Sequence, residues 1–217
     1  MGTTELQGQL IAVGKELYDR GLQTTRSGNI SARDRDRFII TKTGANLGRL
    51  AESDLISVDI SLHTPFSFEA SCESPVHRAI YNATGALAIV HAHPIHTIVL
   101  AEISVDDSIL PVHKEGLVGL KRVPIVDTTV LGLDIGEEPS AIVAALTQSC
   151  AVVVRNHGAF VTGESNQQAL YKMLLLEDTC TIKLLIHTHS LIAANLTTDA
   201  DLKTRRQSAI RSIVGSE

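Results

Sequence analysis

In Ile89-Val90-His91-Ala92-His93-Pro94, two histidines stand two residues apart at the end of a β-branched apolar run that a proline closes. Such a run reads as a strand, and side chains at i and i+2 of a strand share a face. Two neutral imidazoles held in parallel suit a divalent ion such as Zn2+; two half-exposed histidines at a strand terminus would leave the same pattern. His157 adds a third imidazole, in Arg155-Asn156-His157-Gly158, directly after a short apolar strand, where sheet proteins present functional groups. Gly158 permits a positive φ that would re-aim the chain there. A catalytic zinc takes three protein ligands and keeps one position open, and His91, His93 and His157 match that number. Glu73 is the candidate fourth group, as a ligand of the resting metal or as a base beside it.

Two further segments have the composition of anion cradles. Ser27-Gly28-Asn29-Ile30-Ser31 and Thr41-Lys42-Thr43-Gly44-Ala45-Asn46 each place hydroxyls, amides and a glycine at a strand edge. Exposed backbone N–H groups in such turns can surround a phosphate, and Lys42 could add charge. Ordinary β-turns carry the same residues. Ser71-Cys72-Glu73-Ser74 sets more polar groups just ahead of a helix start, another place that favours anions.

The elements that must position these groups follow from periodicity. Leu6, Leu10, Ile11, Val13, Leu17 and Tyr18 recur near helical spacing from Glu5 to about Leu22, and Gly21 stands where a C-terminal cap belongs. Short strands are expected at 29–32, 38–41, 55–60, 87–92, 123–126, 150–154 and 159–162. Ser74 is the expected N-cap of a helix running to about Asn82, with Pro75 in its first turn. Further helices are expected at 94–102, 135–148, 164–191 and 199–214. Between 103 and 122 the pattern is poor. The mixture is α/β, a central sheet covered by helices.

Composition narrows the function classes. Of the 217 residues, 44% are apolar and 20% charged, with a net charge of −5 and no Lys/Arg cluster, which argues against a nucleic-acid or anionic-membrane surface. Aromatic residues make up 3%, too few for a base-stacking platform. The cysteines Cys72, Cys150 and Cys180 form neither a disulfide framework nor a zinc knuckle, which fits a reducing compartment. The opening MGTTELQGQL lacks the basic flank and apolar core of a signal peptide, and no apolar run approaches the length of a membrane span. A cytoplasmic protein of one domain over 1–217 is the expectation.

Taken in order, Ser27-Gly28-Asn29, Thr43-Gly44, Glu73 with His77 four residues on, His91-Ala92-His93-Pro94 and Asn156-His157-Gly158 resemble the class II aldolase/adducin-type family. The resemblance spans roughly residues 5 to 190 and is nearest to the fuculose-phosphate aldolases. It implies a three-layer α/β/α fold with a mainly antiparallel central sheet, and one Zn2+ on His91, His93 and His157. It also implies a homotetramer with active sites at subunit interfaces. Carried over by position, Glu73 matches the catalytic acid/base, and Asn29, Thr43, Gly44 and Ser71 match residues holding a substrate phosphate. Cys72 falls where the aldolases usually have a second phosphate-contacting serine, and a thiol is a poorer donor.

Two positions depart from the aldolase pattern. Lys42 stands where many relatives have proline. His113-Lys114-Glu115-Gly116 contains no tyrosine where the aldolases tend to have a proton donor; the dehydratases of the family have a glutamate at a comparable place, which Glu115 would match. The motif set as a whole implies, through the resemblance, retro-aldol cleavage of a ketose 1-phosphate to dihydroxyacetone phosphate and a small aldehyde such as lactaldehyde. A methylthioribulose-1-phosphate-type dehydratase and a ribulose-phosphate 4-epimerase are the alternatives. A metal-free, adducin-like interaction module has no need of the three histidines and Glu73. His187 and His189 lie about 200° apart on a helix and do not converge. No partner is evident for His63, and His77 is expected to orient the Glu73 segment.

Overall fold

The computed structural model describes residues 2–61, 67–127 and 140–214. His63 and the first residues of the helix expected at 135–148 lie outside them.

The chain opens with α1 (Thr3–Asp19), which buries Leu6, Leu10, Val13 and Leu17. Burying each such side chain is worth about 1.5–3 kcal/mol, so packing of this stripe, more than intrinsic propensity, holds the helix. It ends as its glycine predicts. Gly21 adopts φ 73°, its N–H bonds the Tyr18 carbonyl, and the Leu22 N–H bonds that of Leu17, the paired closure of a Schellman cap.

Eight strands follow: β1 (Asn29–Asp34), β2 (Arg37–Thr41), β3 (Leu55–Asp59), β4 (Ala88–Ala92), β5 (Ser108–Ile109), β6 (Val123–Val126), β7 (Ala151–Val154) and β8 (Gly158–Gly163). They form one sheet in the order β3-β2-β1-β4-β8-β7-β6-β5, antiparallel except where β6 meets β7. The helices are α2 (Ser74–Ala83), α3 (Ile95–Ile103), α4 (Lys114–Gly119), α5 (Ser140–Leu146) and α6 (Asn166–Val214).

Alternation along the strands sorts side chains between two cores. Ile39, Val90, Ala92, Val153 and Val161 pack with α1, α3 and α6 on one face. Phe38, Ile40, Ile89, Val152, Val154 and Phe160 pack with α2 and α5 on the other. The three-layer α/β/α arrangement with a mainly antiparallel sheet is therefore present.

Three expectations change. The helices expected at 164–191 and 199–214 are one helix, α6, of 49 residues. The apolar stripe lapses between them, but Ile192 to Thr198 contains neither glycine nor proline, so nothing in the backbone ends the helix. The poorly patterned stretch holds β5 and α4. Helix α4 is capped by His113, whose ring accepts the Gly116 N–H at 3.3 Å, a cap residue outside the usual Ser/Thr/Asp/Asn set. Helix α2 begins at Ser74, which puts Glu73 rather than Ser74 at the N-cap.

Candidate metal centre

Strand parity sets the direction of the first histidine. On β4, Ala88, Val90 and Ala92 face the α1/α6 core, so Ile89 and His91 face α2. His91 pairs with Asn29 on β1 and with Phe160 on β8. Its ring stacks on Phe160 with centroids 4.1 Å apart, and its Nδ1 lies 3.0 Å from the Ala159 carbonyl. A carbonyl only accepts, so Nδ1 carries the hydrogen and Nε2 presents a lone pair to the site. His93, just beyond the strand, stays on the same face with its Nε2 3.0 Å from that of His91. The turn between β7 and β8 brings the His157 ring within 4.8 Å of His91 and 4.9 Å of His93, centroid to centroid.

One ligand atom from each of the three histidines can be chosen so that all lie within 4.8 Å of one another, and the three form a possible metal site. A tetrahedral ion with bonds of about 2.0–2.1 Å separates neighbouring ligand atoms by about 3.3 Å, so small side-chain adjustments suffice.

The turn that delivers His157 works differently from the sequence expectation. The positive φ belongs to Asn156, at 59°, and Gly158 is not left-handed. Glycine is needed at 158 for space: a Cβ there would lie 2.4 Å from the Ala92 carbonyl oxygen and 2.8 Å from the His93 ring. Gly158→Ala must push β8 away from β4 or displace His93. It is expected to cost about 1–3 kcal/mol, read from urea unfolding midpoints at constant m-value. An unchanged midpoint would show that the close approach is not constraining. Arg155, to which the sequence assigned no role, pins the same turn by an ion pair with Asp127 at 2.8 Å and by bonds to the Ala101 and Ser104 carbonyls.

Glu73 meets this cluster from the start of α2. Its side chain is buried; Oε2 lies 3.2 Å from His91 Nε2 and Oε1 lies 3.5 Å from His157 Nε2. The Asn29 amide donates a hydrogen bond to Oε2. Burial pushes the Glu73 carboxyl up to about 7, with the Asn29 bond opposing. Burial likewise lowers His93 to about 4, with His157 adding to the effect, and takes His91 well below its ordinary value. His157 is also lowered by burial.

The imidazoles are therefore neutral near pH 7, and their contacts with Glu73 are not ion pairs. A carboxylate facing the unprotonated Nε2 of His91 sets lone pair against lone pair. A proton on Glu73 or a cation among the four groups relieves that arrangement. This crowding of unprotonated nitrogen and oxygen donors fits a divalent metal. The buried His157 Nδ1 has no hydrogen-bond partner among the described residues.

The turns expected to hold phosphate adjoin Glu73. The Thr43 N–H and hydroxyl bond the carbonyls of Glu69 and Ala70, and the Ser71 N–H bonds that of Thr41. The 41–44 turn and the 69–73 turn are thus laced together, with Gly44 at φ 70°. Ser71 Oγ accepts the Glu73 N–H at 3.3 Å. The Cys72 thiol is exposed, and burial of part of its surroundings, then the neighbouring Glu73, raise its pKa. Lys42 lies 3.8 Å from Glu69. Asn29 is buried, and its amide donates to Glu73.

Glu115 is not gathered with these groups. It is exposed on α4 and accepts a hydrogen bond from the Tyr171 hydroxyl on α6 at 2.8 Å. His77 is fully buried behind the site. Its Nδ1 lies 2.7 Å from Ser31 Oγ, which also meets the Tyr81 hydroxyl, and burial lowers its pKa to about 3. His187 and His189 are exposed on α6. An open cavity of about 750 Å3 lies at the opposite ends of β4 and β8, lined by Lys121, Cys150, Gly163 and Lys172. Among the described residues it gathers no possible metal-ligating group like the three histidines.

A three-layer fold with three imidazoles and a buried carboxylate converging at one end of the central strands defines a metal-dependent class of protein. The chain belongs to the class II aldolase and adducin N-terminal domain family, whose model matches residues 8–184. It is similar to the L-fuculose phosphate aldolase of Methanocaldococcus jannaschii, 28% identical over 179 residues that make up 82% of this chain and 94% of that one. It is also similar to the methylthioribulose-1-phosphate dehydratase of a Bradyrhizobium species, 25% identical over 83% of this chain and 91% of that one. Among solved structures, the l-fuculose-1-phosphate aldolase from Thermus thermophilus superposes with a TM-score of 0.81 at 33% identity, covering 86% of this chain and 96% of that one. Within the family the chain falls among the metal-dependent lyases. Among the described residues no helix is long and apolar enough to cross a membrane.

Proposed function

We propose that the chain is a zinc-dependent aldolase that reversibly cleaves a ketose 1-phosphate of the fuculose 1-phosphate type. The products are dihydroxyacetone phosphate and a small aldehyde such as lactaldehyde. The observation that carries this reading is the meeting of three imidazoles with a buried carboxyl, Glu73, that lies against two of them. His91, His93 and His157 would hold the ion. A bound divalent ion supplies Lewis-acid polarisation of the substrate's oxygens and stabilises negative charge as it develops.

Glu73 moves the proton at carbon. When the C3–C4 bond breaks, the C4 hydroxyl releases its proton to solvent as C4 becomes the aldehyde carbonyl, the electron pair passes to C3 as an enediolate, and the Glu73 carboxyl gives C3 a proton; in the synthetic direction each transfer reverses and Glu73 removes the C3 proton. Its place against His91 and His157 puts the carboxyl within reach of a substrate held at the three imidazoles. The Asn29 amide fixes which way the carboxyl points. Asn29, Thr43, Gly44, Ser71 and Cys72, in or beside the turns around Glu73, would anchor the substrate phosphate and so hold the reacting carbon in register.

In this reading residues 1–217 are one domain and the enzyme is a cytoplasmic homotetramer with active sites at subunit interfaces. The exposed apolar side chains of Leu110, Val112, Leu117 and Val118 around α4 support assembly.

Methylthioribulose-1-phosphate dehydration is the second reading, favoured by the Bradyrhizobium relative; ribulose-phosphate 4-epimerisation is a third. Zinc-loaded protein incubated separately with fuculose 1-phosphate and methylthioribulose 1-phosphate separates them by mass spectrometry. A three-carbon phosphate from the first sugar is expected. Loss of water from the second, with the first intact, would replace the aldolase reading by the dehydratase one. Because Glu115 is turned to Tyr171, Glu115→Gln is expected to leave retro-aldol turnover within a few-fold of the parent. A loss beyond about a hundredfold, the low end for a general acid or base, would place Glu115 in the reaction.

A further inference from the structure

Helix α3 starts directly after His93-Pro94, and its first turn lacks a cap of its own. Pro94 occupies the N-cap position and has no side-chain oxygen to accept the free N–H groups of the next residues. Two of those groups, on His96 and Thr97, are nevertheless satisfied, from a distant part of the chain. Glu177 on α6 accepts the His96 N–H at 3.0 Å on one carboxylate oxygen and the Thr97 N–H at 2.9 Å on the other. The same two oxygens take the His96 ring Nδ1 at 2.7 Å and the Thr97 hydroxyl at 2.8 Å. Four hydrogen bonds thus converge on one carboxylate whose side chain is 13% exposed, at the positive end of the α3 dipole.

The consequence concerns His93. On its N-terminal side the His93 N–H is tied to the Leu22 carbonyl at 3.1 Å. On its C-terminal side, Pro94 limits the backbone and Glu177 fixes where α3 begins. Without Glu177 the first turn of α3 has two free N–H groups and can fray, and the segment carrying His93 gains freedom. His91 is less dependent on this anchor, since the β4 ladder and the Ala159 carbonyl hold it.

We propose that Glu177 is a positioning residue for the metal centre: by capping α3 from α6 it holds His93 where its imidazole meets those of His91 and His157. The inference rests on the three histidines binding a metal, as in the function proposed above.

The test uses the full chain and measures zinc affinity by competition with a chromophoric chelator, together with the melting temperature of the metal-free protein. Glu177→Ala is expected to weaken zinc binding about 10–100-fold, the range for residues that orient a ligand. Glu177→Gln keeps one accepting oxygen and is expected to recover part of that loss while remaining at least threefold weaker than the parent. Leu146→Ala, in the core under α5 away from the histidines, serves as a control that lowers the melting temperature without touching the anchor.

Zinc affinity of Glu177→Ala within tenfold of the parent overturns the proposal, as does an equal loss in Leu146→Ala. Should Glu177→Ala not fold, Glu177→Gln decides, and unchanged affinity in that variant overturns the proposal. A parent protein that binds no zinc overturns the metal reading itself. A parent that binds tightly beside an unaffected Glu177 variant overturns only the role of Glu177.

Discussion

His157→Gln is expected to bind zinc at least a hundredfold more weakly than the parent and to show no measurable aldolase turnover, while keeping its fold. His157 is the best of the three histidines for this test because it is the least tied to the framework. His91 is fully buried, stacked on Phe160 and bonded to Ala159. His157 sits in a turn, and its Nδ1 has no hydrogen-bond partner among the described residues. Removing a ligand should exceed the 10–100-fold cost of disturbing a group that only supports one.

The loss can also be read without activity. A ligand at a hundred times its Kd stabilises the folded state by about 2.7 kcal/mol. For a chain of this size that corresponds to a rise in Tm of about 5–10 °C. The parent should show such a rise on adding zinc, and His157→Gln should not. A variant with the same zinc-dependent rise as the parent would remove His157 from the site.

Glu73→Gln is the second large effect, and it should separate chemistry from metal binding. Glutamine has the shape of glutamate and can still accept the Asn29 hydrogen bond, but it does not exchange a proton near neutral pH. Losing a general acid–base group typically lowers the rate by about 10²–10⁴-fold, or about 3–5.5 kcal/mol of barrier. Zinc affinity should change far less, because the three imidazoles remain. Turnover equal to the parent at saturating zinc would exclude Glu73 from proton transfer. A large drop in zinc affinity with turnover restored by added metal would make Glu73 a ligand instead.

Much of the fold was legible because its signals are local. The α1 stripe and its terminal Gly21, the strands around His91 and His157, and the Pro75 start of α2 each depend on a few adjacent residues. Where the structure departed from the reading, the deciding term lay elsewhere in the chain or in the absence of a breaker. Helix α6 runs through the point where its apolar pattern fails because no glycine or proline interrupts it. Helix α4 escaped notice because a histidine caps it. Gly158 was identified as special, but for a torsion that belongs to Asn156; its actual constraint is the Ala92 carbonyl on the neighbouring strand.

The donor types, the shared face of His91 and His93, and the family that the motifs resemble can be read from the chain alone. These follow from residue identity and from the two-residue period of a strand. Folding in three dimensions is what brings His157 and Glu73 to the same point from a distant turn and a distant helix start. It also decided that Asn29 serves Glu73, that the Ala159 carbonyl sets the His91 tautomer, and that Glu177 caps a helix 80 residues away. The near-neutral pKa of Glu73 belongs to the same class, since it arises from desolvation, and desolvation depends on what packs around a group rather than on its neighbours in the chain.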